Sequence, residues 1–226
     1  MARRKPPTHP SIVPPHIELH QLNFITEQSI TLNDQAAYVS VKLQRCQVGN
    51  QAAEDVLFDQ VIAEHTDFSQ SCLVLAQFLD SQFHTCDFAI TSLEKACMRR
   101  VQLIACRLPG VVFTQADMQD VVVQKCQGDM SHFWDCTLKA TRFEHCTLRQ
   151  ASFASSTLAG VVFRHCDLTQ ADFRGANLRG ADLRGSILDG LQVGVRELQG
   201  AIIDSGQAVQ LVRVLGVLVR DEDETP

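Results

Sequence analysis

The 226-residue chain holds nine cysteines but no Cys-x-x-Cys pair. That gap, with an odd total, argues against a zinc ribbon and against a disulfide framework. No stretch approaches the roughly 18 continuous apolar residues of a membrane span. Basic residues are the minority, 20 against 26 acids for a formal charge of −6, which argues against a nucleic-acid binder working through a basic surface. No Gly-rich phosphate loop, nucleophile elbow or His-Glu-x-x-His is present, so the usual enzyme signatures are missing. The start, "MARRKPPTHPSIVPPH", has basic residues without the apolar segment of a secretory or twin-arginine leader. A soluble, cytoplasmic protein with reduced thiols is expected. Tryptophan and tyrosine occur once each beside twelve phenylalanines, an imbalance that needs a cause.

The cause is a repeat. From Thr157 to Gly190 the chain reads "TLAGV VFRHC DLTQA DFRGA NLRGA DLRGS ILDG", with Leu158, Phe163, Leu168, Phe173, Leu178, Leu183 and Leu188 five apart. A small residue stands two places before each. Without a gap, the frame gives 34 pentads centred from Tyr38 to Ile203. Only Ala53, Ala63 and Gly128 depart from a large apolar centre, and only Gln51, Leu191 and Arg196 from a small residue before it. Eleven of the twelve phenylalanines are centres. Two inward residues separated by an outward one describe a short extended segment. Two further residues turn a corner, so the chain coils into a solenoid.

The cysteines give the circumference. Cys46, Cys86, Cys106, Cys126, Cys146 and Cys166 occupy the small position and differ by multiples of 20; Cys136 occupies it on another face. A four-sided coil of 20 residues puts the six in one column, which Thr66 and Ser186 complete. A 15-residue triangle scatters them. Phe113, Phe133, Phe153 and Phe173 form a second column. About eight coils make a rod of roughly 40 Å at 4.8 Å per strand.

The frame A-(D/N)-L-x-x, seen in "ADFRGANLRGADLRG", resembles the pentapeptide-repeat family over about three quarters of the chain. The resemblance implies an all-β, right-handed quadrilateral β-helix with the small and the large residue inward. Around it, residues 1–20 are expected to be a flexible Pro-rich arm, 21–37 an irregular N-terminal cap, 38–203 the β-helix, 204–219 a C-terminal helix and 220–226 an acidic disordered tail. Asp204 or Ser205 is the expected helix cap, Gly216 its end, and Ala208, Leu211, Val212 and Leu215 its apolar stripe. The helix either plugs the last coil or pairs with its twin in a homodimer through Leu211, Val212 and Leu215.

Two pairs, His145-Cys146 and His165-Cys166, look like metal ligands. By the frame the cysteines point inward and the histidines outward, so they do not converge, and their spacing matches none of the usual zinc patterns. Cysteine is read as a small hydrophobe. Asp167, Asp172, Asn177 and Asp182 precede centres and suit hydrogen bonds to corner backbone. No catalytic residue, metal or cofactor is expected.

Charge is uneven along the chain. From Cys46 to Glu94 there are eight acids and no Lys or Arg; from Lys95 to Gly185 there are twelve bases against eight acids. This is either a polarised interaction surface or the ordinary drift of a solvated face. Glu54, Asp55, Asp59, Glu64, Asp80 and the exposed Trp134 form the candidate partner surface. The unbroken rod and the ending "LQGAIIDSGQAVQLVRVLGVLV" are similar to the loop-free, MfpA- and Qnr-like members that protect topoisomerase. That resemblance implies a duplex-like rod, dimeric through its C-terminal helix, that binds DNA gyrase or topoisomerase IV in place of DNA. Against it, the repeat region carries 18 acids and 15 bases, only −3 net, and the acid lies away from the supposed dimer contact. The expectation is a non-enzymatic protein-binding rod, with a scaffold or regulatory module of another partner as the alternative; neither direct nucleic-acid nor membrane binding is expected.

Overall fold

The computed structural model describes residues 11–219; the acidic tail and the first half of the arm lie outside the described residues. The chain forms a parallel β-solenoid followed by one helix. Its strands are β1 (Asn23–Thr26), β2 (Ala37–Val39), β3 (Val41–Gln44), β4 (Leu57–Asp59), β5 (Ile62–Glu64), β6 (Gln77–His84), β7 (Cys97–Ile104), β8 (Asp117–Gln124), β9 (Thr137–Glu144) and β10 (Val162–Arg164), and the helix is α1 (Ser205–Val214). From β2 onward paired residues are 20 apart, as in Phe78↔Met98↔Met118↔Leu138, so four pentads close one coil.

One pentad shows how. Cys86 and Phe88 are buried and Asp87 points outward between them. The Asp87 N–H donates back to Thr66 O and the Phe88 N–H donates forward to Arg107 O. Ala89 and Ile90 make the corner: the Ile90 N–H donates forward to Pro109 O, and the Thr91 N–H closes the turn on Phe88 O. The corner forces its second residue into the left-handed region. Every fifth residue from Gln35 to Gly190 has positive φ, and most of those before Gly160 are not glycine. Each costs about 1–2 kcal/mol relative to its relaxed backbone. Coil-to-coil hydrogen bonding outweighs that cost because it satisfies nearly every backbone group of the coil.

Stacking identical coils stacks identical side chains. Phe113, Phe133 and Phe153 lie face to face at 4.9 and 4.8 Å between centroids, and Phe173 continues the column at 5.0 Å. Phe143 and Phe163 form a second stack that meets the first edge-on. Where the centre is Gly128, Leu148 fills the vacancy: a Cβ on Gly128 would come within 3.0 Å of its Cδ2.

The cysteine column does more than fill space. From Cys86 onward each thiol of the column donates to the carbonyl 23 residues earlier, Cys126 to Leu103 and Cys146 to Val123 among them, while Cys46, over the shortened first coil, donates to Ile25 O, 21 residues earlier; the Cys106 N–H reaches Cys126 Sγ. Ser186 does the same with its hydroxyl, donating to Phe163 O and accepting from the Cys166 N–H. Reading cysteine as a small hydrophobe was therefore incomplete: the position favours a small side chain that also donates and accepts. All nine thiols are free, and burial pushes Cys136 up to about 12.

The ends differ from expectation. Residues 23–30 are a partial coil rather than an irregular cap, with β1 on β3 at an offset of 18. Two residues are missing from that coil, and the Gln51 amide fills the gap, donating to Ile30 O and Val48 O and accepting the Leu32 N–H. This is why a long polar residue stands where the frame wants a small one. At the other end Asp204 caps α1 in a capping box with Gln207, and Gly216 (φ +81°) closes it. The buried face of the helix is Gln207 and Leu211, with Val214 packed beside them, not the stripe of Ala208, Leu211, Val212 and Leu215. Gln207 Nε2 donates to two carbonyls of the coil beneath the helix, Leu183 O, which also closes the turn by accepting the Ser186 N–H, and Ser186 O, at 2.7 Å each.

Ile90 is β-branched, 67 % exposed and held at φ +59°. Asn tolerates that region far better. Ile90→Asn is expected to raise unfolding stability by about 1 kcal/mol in a denaturant titration; a loss of stability would show that the corner is not strained.

Candidate interaction surface

With a coil of 20, outward residues fall on four corners that run the length of the rod. One carries Asp34, Glu54 and Asp55, Leu75, Glu94 and Lys95, and Trp134 with Asp135. The next carries Asp59 and Gln60, Asp80, Arg99 and Arg100, and Asp120. The third holds His65, His145 and His165, and the fourth Ile90, Gly110 and Met130.

The candidate acids separate accordingly. Glu54 is exposed and its N–H is held by Asp34 Oδ1, while Asp55 accepts from Gln77 Nε2 at 2.8 Å. Trp134 is half exposed on the same corner four coils on, about 19 Å away at 4.8 Å per coil. Asp59 and Asp80 lie one corner away. Burial, with the Asp80 charge, raises the pKa of Asp59; the Arg100 guanidinium lowers that of Asp80, which it grips through both oxygens. Glu64 is on the third corner, ion-paired at 2.7 Å to Lys42, which depresses its pKa. Glu54, Asp55 and Trp134 thus share a line, whereas Asp59, Glu64 and Asp80 do not join it. Asp34 and Asp135, which the sequence reading passed over, do; counting acids by twenties would have found them.

The uneven charge is largely stitched together. Arg100 reaches back one coil to Asp80, and Arg107 back one coil to Asp87 at 2.6 Å. Further on, Arg149 pairs with Asp167, Arg174 with Asp172 and Arg184 with Asp182. These aspartates also cap corners, as the sequence predicts: Asp167, Asp172, Asn177 and Asp182 each accept the backbone N–H two residues on, at 3.0–3.1 Å.

His145 and His165 stack at 5.0 Å on the outer corner, while the Cys146 and Cys166 thiols turn inward onto backbone carbonyls. Among the described residues no group of three or more His, Cys, Asp or Glu is placed to hold a metal ion, and no helix is long and apolar enough to cross a membrane. Of the residues assigned to a dimer contact, Leu211 is buried within its own chain, Val212 is half-buried and Leu215 is 38 % exposed. The outward apolar surface at that end is Val209, Leu215, Val217 and Leu218. The segment from Ser11, expected to be flexible, instead lies along the Asp80 corner, with its N–H groups bonded to rod side chains.

The family described as pentapeptide repeat region matches residues 76–153 and 129–201, together more than half of the chain. No curated protein matches the chain. Among solved structures, trypsin-treated QnrB1, described as a plasmid-mediated fluoroquinolone resistance protein, is 18 % identical, with 89 % of this chain and 100 % of that one covered at a TM-score of 0.52. Full-length QnrB1 is 17 % identical, with 86 % and 100 % covered at 0.46. HetL, a pentapeptide repeat protein involved in heterocyst differentiation regulation from the cyanobacterium Nostoc, is 20 % identical, with 81 % and 90 % covered at 0.26. At these identities the first likeness is one of fold, and the other two add nothing to it.

Trp134 is the single tryptophan. Its emission is expected to be that of a solvent-exposed indole, open to acrylamide quenching, and Trp134→Ala to change stability by less than about 0.5 kcal/mol. A blue-shifted, quencher-resistant signal would remove Trp134 from the exposed surface.

Proposed function

The chain belongs to the pentapeptide-repeat family, and from that premise we propose that it is a non-enzymatic protein-binding rod whose partner is a type II topoisomerase. In this reading it binds DNA gyrase or topoisomerase IV in place of DNA and shields it from poisons. One observation carries the reading: Asp34, Glu54, Asp55, Glu94 and Asp135 lie on a single corner of an uninterrupted solenoid, where they outnumber the bases Lys95 and Arg174, beside exposed Leu75 and Trp134. An excess of acid along one corner attracts a surface built for a polyanion, and a half-exposed aromatic supplies an anchor. The solenoid fold shared with QnrB1, a fluoroquinolone resistance protein, fits this role. Nine free thiols suit a reducing, cytoplasmic setting.

Dimerisation belongs to the same proposal. Val209, Leu215, Val217 and Leu218 form an exposed apolar surface at the C-terminal end, where Val212 is half-buried beside them. A twin copy meeting there would cover it and double the rod. Leu211 supports the contact from beneath, because it fixes α1 on the last coil. A second reading, a scaffold or regulatory module for another protein, is favoured by one fact. Away from the Trp134 corner most acids are already paired with arginine or lysine, so the rod as a whole presents little net field.

Supercoiling by purified gyrase, with and without a quinolone-type poison, separates the two. The topoisomerase reading expects inhibition of supercoiling or relief of poisoning, weakened at least about tenfold by Glu54→Lys with Asp135→Lys. No effect on either activity at micromolar protein sinks it. For the dimer, Val209→Glu with Leu215→Glu is expected to halve the mass in sedimentation while leaving the melting temperature nearly unchanged. An unaltered oligomer rejects that contact.

A further inference from the structure

Residues 11–18 cross the coils at right angles to the strands, laid lengthwise along the Asp80 corner. Three contacts fix them: the Val13 N–H donates to Asp120 Oδ1 at 3.0 Å, the His16 N–H to Asp80 Oδ1 at 2.9 Å and the Glu18 N–H to Gln60 Oε1 at 3.3 Å. In each, the donor is main chain and the acceptor is a rod side chain. The corner therefore reads an extended backbone through its N–H groups.

The spacing is matched. Asp80 and Asp120 are two coils apart, about 9.6 Å at 4.8 Å per coil. From Val13 to His16 is three residues, about 9.3 Å at the 3.1 Å rise of a polyproline helix. Between those two donors stand Pro14 and Pro15, which have no N–H to offer. Between the two acceptors stands the coil of Arg100, whose guanidinium is turned onto Asp80 and which offers a cation instead of an acceptor. Donors meet acceptors, and prolines meet the coil that has none. The cover is physical as well: Asp120 is only 8 % exposed, while the tips of the other three corners on that coil and the next, Lys125, Met130 and Asp135, are exposed.

We propose that this corner is a docking groove for an extended, proline-containing segment of a partner protein, and that residues 13–18 occupy it in cis. The segment it fits carries a Pro-Pro pair flanked by backbone N–H groups three and five residues apart. Such a partner binds by displacing the strap. A tethered strap competes at an effective concentration on the order of millimolar, so a free segment binds the intact chain weakly. Once the strap is loosened, the groove is open to it.

The test uses the full chain with Pro14→Gly and Pro15→Gly, which makes the strap floppy and leaves the groove intact. A labelled synthetic peptide of residues 11–20 is titrated by fluorescence anisotropy. It is expected to bind the loosened chain about tenfold or more tighter than the unsubstituted one, because the competing strap is removed. Adding Asp120→Ala removes one acceptor and is expected to weaken binding about tenfold. Gln60→Ala, at the far end of the groove, weakens it as well, whereas Asp129→Ala, on the fourth corner, leaves it unchanged. The same peptide with both prolines replaced by glycine binds more weakly. Thermal melts show that each variant keeps its solenoid. No saturable binding to the loosened chain overturns the proposal, as does binding indifferent to both Asp120→Ala and Gln60→Ala, or weakened equally by Asp129→Ala.

Discussion

Each coil of this protein bonds main chain to main chain with the coil before and the coil after, and every such bond requires the chain to return above itself after the same number of residues. A strand in an ordinary sheet satisfies its partners along one line. Here the outward residue of a pentad donates backward, as Asp87 does to Thr66, and the following centre donates forward, as Phe88 does to Arg107. A coil one residue longer or shorter than its neighbours would put donors opposite donors on every later face. Constancy of the 20-residue circumference follows, and from it follow the columns of stacked phenylalanine, the column of thiols and the straight corners.

The same constraint explains the exceptions. Where the first partial coil is two residues short, a glutamine amide takes the place of missing backbone. Near the other end, at Arg196, the chain swings outward, and the Glu197 carboxylate collects the Gly175 and Gly194 N–H groups that the swing leaves over. Its own backbone N–H, with those of Gly175 and Gly194, holds the Glu197 pKa low. Both of these departures are met by a side chain that bonds the backbone groups left over, Gln51 at one end and Glu197 at the other. The recurrent strain of non-glycine residues at the corners is accepted for the same reason: the corner must turn there whatever residue occupies it.

For binding, a rod of this kind offers its corners. Its recognition surfaces are lines, and two corners differ from ordinary solvated surface in opposite ways. One presents acids with a tryptophan and lies open; the other presents acids and an arginine and is covered by the chain's own N-terminal segment. Ion pairs between successive coils neutralise much of the remaining charge, so local arrangement along a corner matters more than net charge.

Period five, the inward pair in each pentad and the 20-residue circumference were all legible in the residues, because a repeat copies one local solution and the cysteine spacing counts its faces. Asp204 as helix cap and the corner-capping role of Asp167, Asp172 and Asp182 were legible for a similar reason: each bond is made within three residues. What the chain does across its coils was not. That Arg100 closes on Asp80, that Leu211 faces inward beside Gln207, and that Pro14 and Pro15 lie against the rod depend on contacts between residues from about 20 to over 100 positions apart. A local pattern records which way a side chain points from its own strand; only the stacked structure decides what stands beside it.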